Sequence, residues 1–84
     1  MHKNVNRYLA YLEETFIPDL KTSGREFTAA DLEKLASLIK TKKRDEDFEW
    51  FLTETLIPDL YESGDEYTAE DFEDGLAWLA SVTG

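Results

Sequence analysis

Side chains that commonly carry out catalysis are scarce in this chain, whereas carboxylates are abundant. The 84 residues include one histidine, His2, no cysteine, and 19 Asp and Glu. Acid–base catalysis by paired carboxylates requires a cleft that separates their pKa values, and the acidic run 70–74 is explained more simply as a solvated helix face. A glycine-rich phosphate loop is also absent from the sequence. The sequence therefore predicts a protein that is not an enzyme and that binds no cofactor.

One acidic segment, 59–72, offers the residue types of a calcium-binding loop. A divergent EF-hand-like helical pair is therefore one alternative for this chain. An EF-hand loop needs acids at its positions 1, 3 and 5 and a bidentate carboxylate at position 12, and the spacing here misses that pattern by one residue. The candidate metal ligands are Asp59, Asp65 and Asp71. A helix connection capped by Gly64 explains the same segment without a metal, and we favour it.

Two tryptophans lie among carboxylates on predicted helices. On a helical wheel, Trp50 lies roughly opposite the apolar Phe48, and Trp78 lies well away from the apolar Phe72. Tryptophan is enriched at binding hot spots, where an apolar anchor sits inside a polar rim. Burial of both indoles in a wide apolar arc of a small bundle is the alternative. The predicted partner-binding residues are Trp50, Trp78, Asp47, Glu54, Tyr61, Glu70 and Asp74.

Charge is distributed unevenly between the two halves of the chain. Residues 1–44 contain all nine Lys and Arg with six Asp and Glu, whereas residues 45–84 contain thirteen Asp and Glu and no Lys or Arg. The halves therefore carry +3 and −13, which sum to the formal charge of −10. Such a field repels nucleic acid and acidic membranes and attracts basic surfaces. We therefore expect no direct binding to nucleic acid or to membranes.

The sequence repeats itself after forty residues: segment 11–20 returns with few changes as 51–60, and 23–31 returns as 63–71. Residues that the copies share describe a common structural unit, and residues that differ are candidates for function. Repeat 1 covers about 2–40, a basic connector covers 40–44, and repeat 2 covers about 45–84. The bases of the connector complement the dipole at a helix end, with a nucleic-acid or targeting role as the alternative.

Hydrophobic spacing predicts an all-α fold of four helices, arranged as two tandem helix–loop–helix hairpins with a period of 40 residues. The first stripe is Val5, Tyr8, Leu12 and Phe16. Thr28 and Thr68 are predicted as the N-caps of the second and fourth helices. Because neither hairpin can bury its apolar stripe alone, we expect both to pack as one small pseudo-twofold domain over residues 1–84.

Pro18 and Pro58 interrupt the first and third predicted helices. Proline removes a helical N–H and disfavours the α conformation of the residue before it. The two helices either end just before the proline or continue with a kink to Thr22 and Glu62. We favour continuation, because apolar spacing is kept beyond the proline and a Ser-Gly pair follows as a stop signal.

Composition places the chain among small cytoplasmic proteins. Hydrophobic residues make up 42% of the sequence, which is enough for one core, and no run approaches the length of a membrane span. The N-terminus lacks the apolar region of a secretory signal, and the absence of cysteine suits a reducing compartment.

Together these observations predict a small acidic binding protein without enzymatic activity. We expect its partner to be a protein with a basic surface, such as a nucleic-acid-binding protein, on which the acidic second hairpin docks as a nucleic-acid mimic. Many phage and mobile-element inhibitors of defence systems share this size and charge, so an anti-defence role is a special case by analogy. A structural adaptor or an oligomeric subunit, including a homodimer, is the other alternative.

Overall fold

The computed structural model describes residues 4–83, and all regular elements in this range are helical. Helix α1 comprises Val5–Tyr11, a π-helical segment Leu12–Phe16 and Ile17–Thr22, and helix α2 covers Glu26–Thr41. Helix α3 comprises Glu46–Phe51, a π-helical segment Leu52–Leu56 and Ile57–Glu62, and helix α4 covers Glu66–Thr83. The predicted all-α fold of four helices is therefore confirmed. Within the described residues, no helix has the length and apolar character needed to cross a membrane. The histidine, His2, lies outside the described residues 4–83.

The π-helical segments explain how the two prolines are accommodated. The N–H of Ile17, immediately before Pro18, donates to the carbonyl of Leu12, five residues earlier. A π-helical turn is wider than an α-helical turn, so it tolerates the proline ring and the missing N–H. The same arrangement precedes Pro58. Both helices continue past their proline, as the sequence favours, and a π-helical segment accompanies the continuation.

A glycine turn joins the two helices of each hairpin. Gly24 and Gly64 both have a φ of +86°, a left-handed conformation that suits glycine because it has no Cβ. In the first turn the N–H of Arg25 donates to the carbonyl of Leu20 at 2.8 Å. This bond closes a Schellman cap and stops the helix. The predicted glycine caps are confirmed.

The two predicted threonine N-caps are wrong. Helices α2 and α4 begin at Glu26 and Glu66, so Thr28 and Thr68 lie inside the first turn. The reason is that the chain becomes helical again two residues after the glycine. The early start places a glutamate in the first turn of each helix, where its charge complements the helix dipole.

The core is built around α2 and α4, which contact each other, while α1 and α3 each pack on the second helix of their own hairpin. Burial of one large apolar side chain in this core stabilises the fold by about 1.5–3 kcal/mol. The largest fully buried side chains are Tyr8, Leu12, Leu32, Leu35, Leu52, Phe72 and Leu79.

Gly75 permits the close approach of α4 to α2 and α1. A Cβ atom placed on Gly75 would overlap the side chain of Leu35 and would lie 2.7 Å from the hydroxyl oxygen of Tyr8. Leu35 is the residue forty positions earlier in the repeat. The two corresponding positions therefore meet in the core, one with a large side chain and the other with none.

Candidate partner-binding surface

Trp50 points away from the core. Its side chain is 66% exposed, whereas Phe48, two residues earlier, is buried. Asp47 and Glu54, one turn before and one turn after Trp50 on α3, are both exposed. Neither carboxylate forms an ion pair within residues 4–83. The alternative in which both indoles are buried in a wide apolar arc is therefore wrong, because Trp50 is exposed.

Trp78 is half-buried and packs on the core. Its ring lies against that of Tyr8, with 6.4 Å between centroids and 39° between planes. On its open side is a hollow of about 170 Å³, lined by Asp74, Ala77, Trp78 and Ser81. The two tryptophans, which the sequence places in one class, therefore differ: Trp50 projects into solvent and Trp78 forms one wall of a surface hollow.

The start of α3 is held by charges from the first half of the chain. The side chain of Asp45 accepts the Phe48 N–H at 3.0 Å and caps the helix. That hydrogen bond is the main reason why the pKa of Asp45 is lowered. The ammonium of Lys34 lies 3.4 Å from the Asp45 carboxylate and 4.6 Å from the centroid of the Phe48 ring. These contacts fix the helix turn from which Trp50 projects.

The connector base Arg44 is used at the same helix start. Its guanidinium donates two hydrogen bonds to the Glu49 carboxylate, at 2.6 and 2.8 Å. The hydrogen bond from Arg44 is the main reason why the pKa of Glu49 is lowered.

A further cross-hairpin pair joins the two glycine turns, where Arg25 lies 2.7 Å from Asp65. Bases of the first half thus neutralise three carboxylates of the second half: Asp45, Glu49 and Asp65.

Tyr61 belongs to a separate group of acidic side chains. Its hydroxyl donates a hydrogen bond to the carboxylate of Glu73, and its side chain is 41% exposed. This hydrogen bond is the main reason why the pKa of Tyr61 is raised to about 12, and the charge of Glu70 adds to the effect. The predicted residues therefore form three local groups: Trp50 with Asp47 and Glu54, Trp78 with Asp74, and Tyr61 with Glu70.

The three candidate metal ligands are not brought together. Asp59 is exposed on α3, Asp65 pairs with Arg25, and Asp71 is buried. The hydroxyl of Tyr11 donates to a carboxylate oxygen of Asp71 at 3.4 Å. Within the described residues, no group of three or more His, Cys, Asp and Glu side chains has an arrangement that could hold a metal ion.

Asp71 instead takes part in packing between the hairpins. Its main-chain carbonyl accepts a hydrogen bond of 2.5 Å from the buried hydroxyl of Tyr8. Burial, and then the charge of Asp71, raise the pKa of Tyr11 to about 12 and raise the pKa of Tyr8 above its ordinary range. Asp71 thus links α4 to two tyrosines of α1, which is a structural role.

Sequence reasoning missed two exposed aromatic residues. Phe27 is 92% exposed and Tyr67 is 76% exposed, and they occupy the same position of the repeat in the first turns of α2 and α4. The available signal was an aromatic residue in both copies beside a first-turn glutamate, off the apolar stripe.

The first hairpin has a surface cleft of its own, of about 420 Å³, between α1 and α2. Ion pairs cross this cleft: Lys21 lies 2.6 Å from Glu33, and Lys40 pairs with Glu13. The charged groups of this cleft therefore neutralise each other.

No protein-family model, curated protein or solved structure matches this chain.

Proposed function

We propose that this protein binds a basic surface of a partner protein through its acidic second hairpin, in the manner of a nucleic-acid mimic. The observation that carries the proposal is the outward position of Trp50 between two carboxylates that have no ion-pair partner within residues 4–83. A nucleic-acid-binding enzyme inhibited by this contact is the partner class that fits best. A cytoplasmic location is part of the proposal, because a chain without cysteine suits a reducing compartment.

The two parts of this surface contribute in different ways. Thirteen carboxylates without a Lys or Arg in residues 45–84 produce a negative field that accelerates encounter with a basic groove. A well-placed tryptophan that becomes desolvated contributes mainly to slow dissociation, and truncation of such a residue costs about 2 kcal/mol or more. Charge therefore guides the approach, and Trp50 anchors the complex.

Capture from a lysate of the source cell, followed by affinity measurement on the captured protein, tests the role of Trp50. We expect Trp50→Ala to weaken binding by roughly 30-fold, which corresponds to the loss of one hot spot. Phe27→Ala is the matched control, because Phe27 is an even more exposed aromatic residue but lies on the first hairpin. Equal losses in the two variants would contradict the proposal.

Salt and competition experiments test the mimicry. Binding is expected to weaken steeply between low and physiological ionic strength, and duplex DNA should compete for the same site on the partner. Replacement of Asp47 and Glu54 by lysine should weaken binding far more than Glu14→Lys, because Glu14 is an exposed carboxylate on α1 that forms no ion pair within residues 4–83. An affinity that is indifferent to salt would eliminate the mimic.

A further inference from the structure

One face of α4 carries an aromatic residue near each end, Tyr67 and Trp78. Its residues recur every three or four positions, so they lie on one side of the helix. These residues are Tyr67, Glu70, Asp74, Ala77, Trp78 and Ser81. The eleven-residue separation of Tyr67 and Trp78 corresponds to about 16 Å, or three helical turns.

The middle of this face lacks a positive charge. Glu70 is exposed and Asp74 is partly exposed, and neither forms an ion pair within the described part of the chain. The position forty residues before Asp74 is Lys34, whose ammonium is held by Asp45 and by the Phe48 ring. The α2 face therefore has its cation paired within the chain, whereas the α4 face offers two carboxylates to a cation from outside.

The end of the face near Trp78 suits an apolar side chain. The hollow of about 170 Å³ has the indole of Trp78 as one wall and the small side chains of Ala77 and Ser81 beside it. Small residues allow the backbone of a second helix to approach closely. The volume of the hollow is sufficient for one aliphatic side chain.

We infer that the α4 face, defined by Tyr67, Glu70, Asp74, Ala77, Trp78 and Ser81, receives a basic amphipathic helix of the partner protein. An aliphatic side chain of that helix enters the hollow beside Trp78, and two Lys or Arg side chains one turn apart face Glu70 and Asp74. This inference rests on the proposed function and specifies which element of the partner is recognised. Charge complementarity on the carboxylate-bearing face selects a basic helix over an acidic or neutral one.

The test uses a Trp50→Phe variant of the 84-residue chain, in which Trp78 is the one remaining indole. The probe is a synthetic alanine-based helical peptide with two arginines four residues apart and a leucine one turn further on. We expect a saturable change in Trp78 fluorescence and amide shifts along residues 67–81 in NMR spectra. A matched peptide with glutamate in place of both arginines should cause neither.

Variants of the face sharpen the test. Asp74→Lys and Ala77→Arg are each expected to weaken peptide binding at least tenfold, whereas Glu14→Lys on α1 should change it less than twofold. Because Ala77 is exposed, its replacement leaves the core intact. NMR spectra of each variant establish that the fold is retained.

Two outcomes would overturn the inference. If the peptide shifts amides of residues 46–54 instead, the second hairpin still binds a basic element, so the proposed function stands and the α4 site is wrong. If no amide shifts at peptide concentrations up to the solubility limit, the α4 site is also wrong. Failure of the proposed function is recognised separately, by a captured partner whose binding ignores salt and Trp50→Ala.

Discussion

The two hairpins share a fold but use their charges in opposite ways. In the first, Lys21 pairs with Glu33 and Lys40 pairs with Glu13, so these ion pairs join acids and bases of the same hairpin. In the second, the ion pairs seen within residues 4–83 engage carboxylates at the helix start and in the glycine turn, with bases that come from residues 25–44. Exposed carboxylates such as Asp47 and Glu54 form no ion pair within residues 4–83. The first hairpin therefore forms ion pairs among its own charges, whereas the second takes its cations from the first, which is consistent with the proposed role of the second hairpin as the binding surface.

The hairpins also differ where they meet. Leu35 on α2 fills the space that the absence of a side chain at Gly75 leaves on α4. If both hairpins carried the same residue at this position, the contact would contain either two large side chains or none. The packing therefore depends on a difference between the copies.

The largest effect on stability is expected when leucine, the residue at position 35 of the first hairpin, replaces Gly75 at the corresponding position of the second. Gly75→Leu forces a side chain into Leu35 and towards the Tyr8 hydroxyl, so the free energy of unfolding should fall by about 3 kcal/mol, the upper part of the range for overpacking. Chemical denaturation measures this loss. The swap variant Leu35→Gly with Gly75→Leu should recover part of the loss, and a swap that is less stable than Gly75→Leu alone would contradict the packing described.

A smaller effect is expected at the tyrosine that joins the hairpins. Tyr8→Phe removes the buried hydrogen bond to the Asp71 carbonyl and should lower the free energy of unfolding by about 1 kcal/mol. Tyr67→Phe removes a hydroxyl from an exposed ring and should change stability by less than about 0.5 kcal/mol. Indistinguishable denaturation curves for the two variants would show that the Tyr8 bond is not stabilising.

The helix caps should respond differently to pH. Asn4 caps α1 with a neutral side chain, and its replacement by alanine should cost about 0.5–1 kcal/mol at any pH. Asp45 caps α3 with a carboxylate whose pKa is lowered, so its contribution is present above its ordinary pKa of about 4 and is lost as pH falls through the folded pKa.

The difference in melting temperature between wild type and Asp45→Ala should therefore be larger at neutral pH than in acid below the lowered pKa of Asp45, where the cap is protonated. For Asn4→Ala the difference should stay constant. A constant difference for Asp45→Ala as well would mean that its charge does not support the helix start.

The smallest effect concerns a single surface hydroxyl. Tyr61 should titrate near pH 12 in an ultraviolet absorbance titration, because its hydroxyl donates to Glu73. Glu73→Gln removes the carboxylate and should return the pKa of Tyr61 towards its ordinary value of about 10. The variant Glu33→Gln, at the corresponding position of the first hairpin, should leave this titration unchanged. A Tyr61 pKa that does not move in Glu73→Gln would refute the bond.

Helix number and the glycine turns could be predicted from the sequence, because apolar periodicity and Ser-Gly stop signals are local. The N-caps could not, because whether Thr28 caps a helix depends on how early the chain becomes helical after the Schellman turn. The first apolar stripe was also partly wrong: Phe16 is half-buried, and Ile17 is the buried residue instead. An ideal α-helical period misses this, because it does not include the π-helical turn.

The candidate surface was only partly predictable. Helical-wheel reasoning places Trp50 opposite the core, and its exposure follows from that geometry. The same reasoning gave Trp78 a similar position, but the contact with Tyr8 comes from another hairpin, and such long-range packing is absent from local spacing. Exposure of Phe27 likewise depends on where α2 begins.

The π-helical segments have a consequence for changes in chain length. From Leu12 to Ile17 the apolar stripe takes a step of five residues, and the five-residue hydrogen-bond step of the π-helical turn keeps both side chains buried. Helices α1 and α3 therefore each behave like an α-helix into which one residue has been inserted. Further insertions in 12–16 or 52–56 would rotate everything beyond them out of phase with the core. The packing of both hairpins thus depends on the number of residues in the segment before the proline. The identity of the exposed residues in that segment matters less.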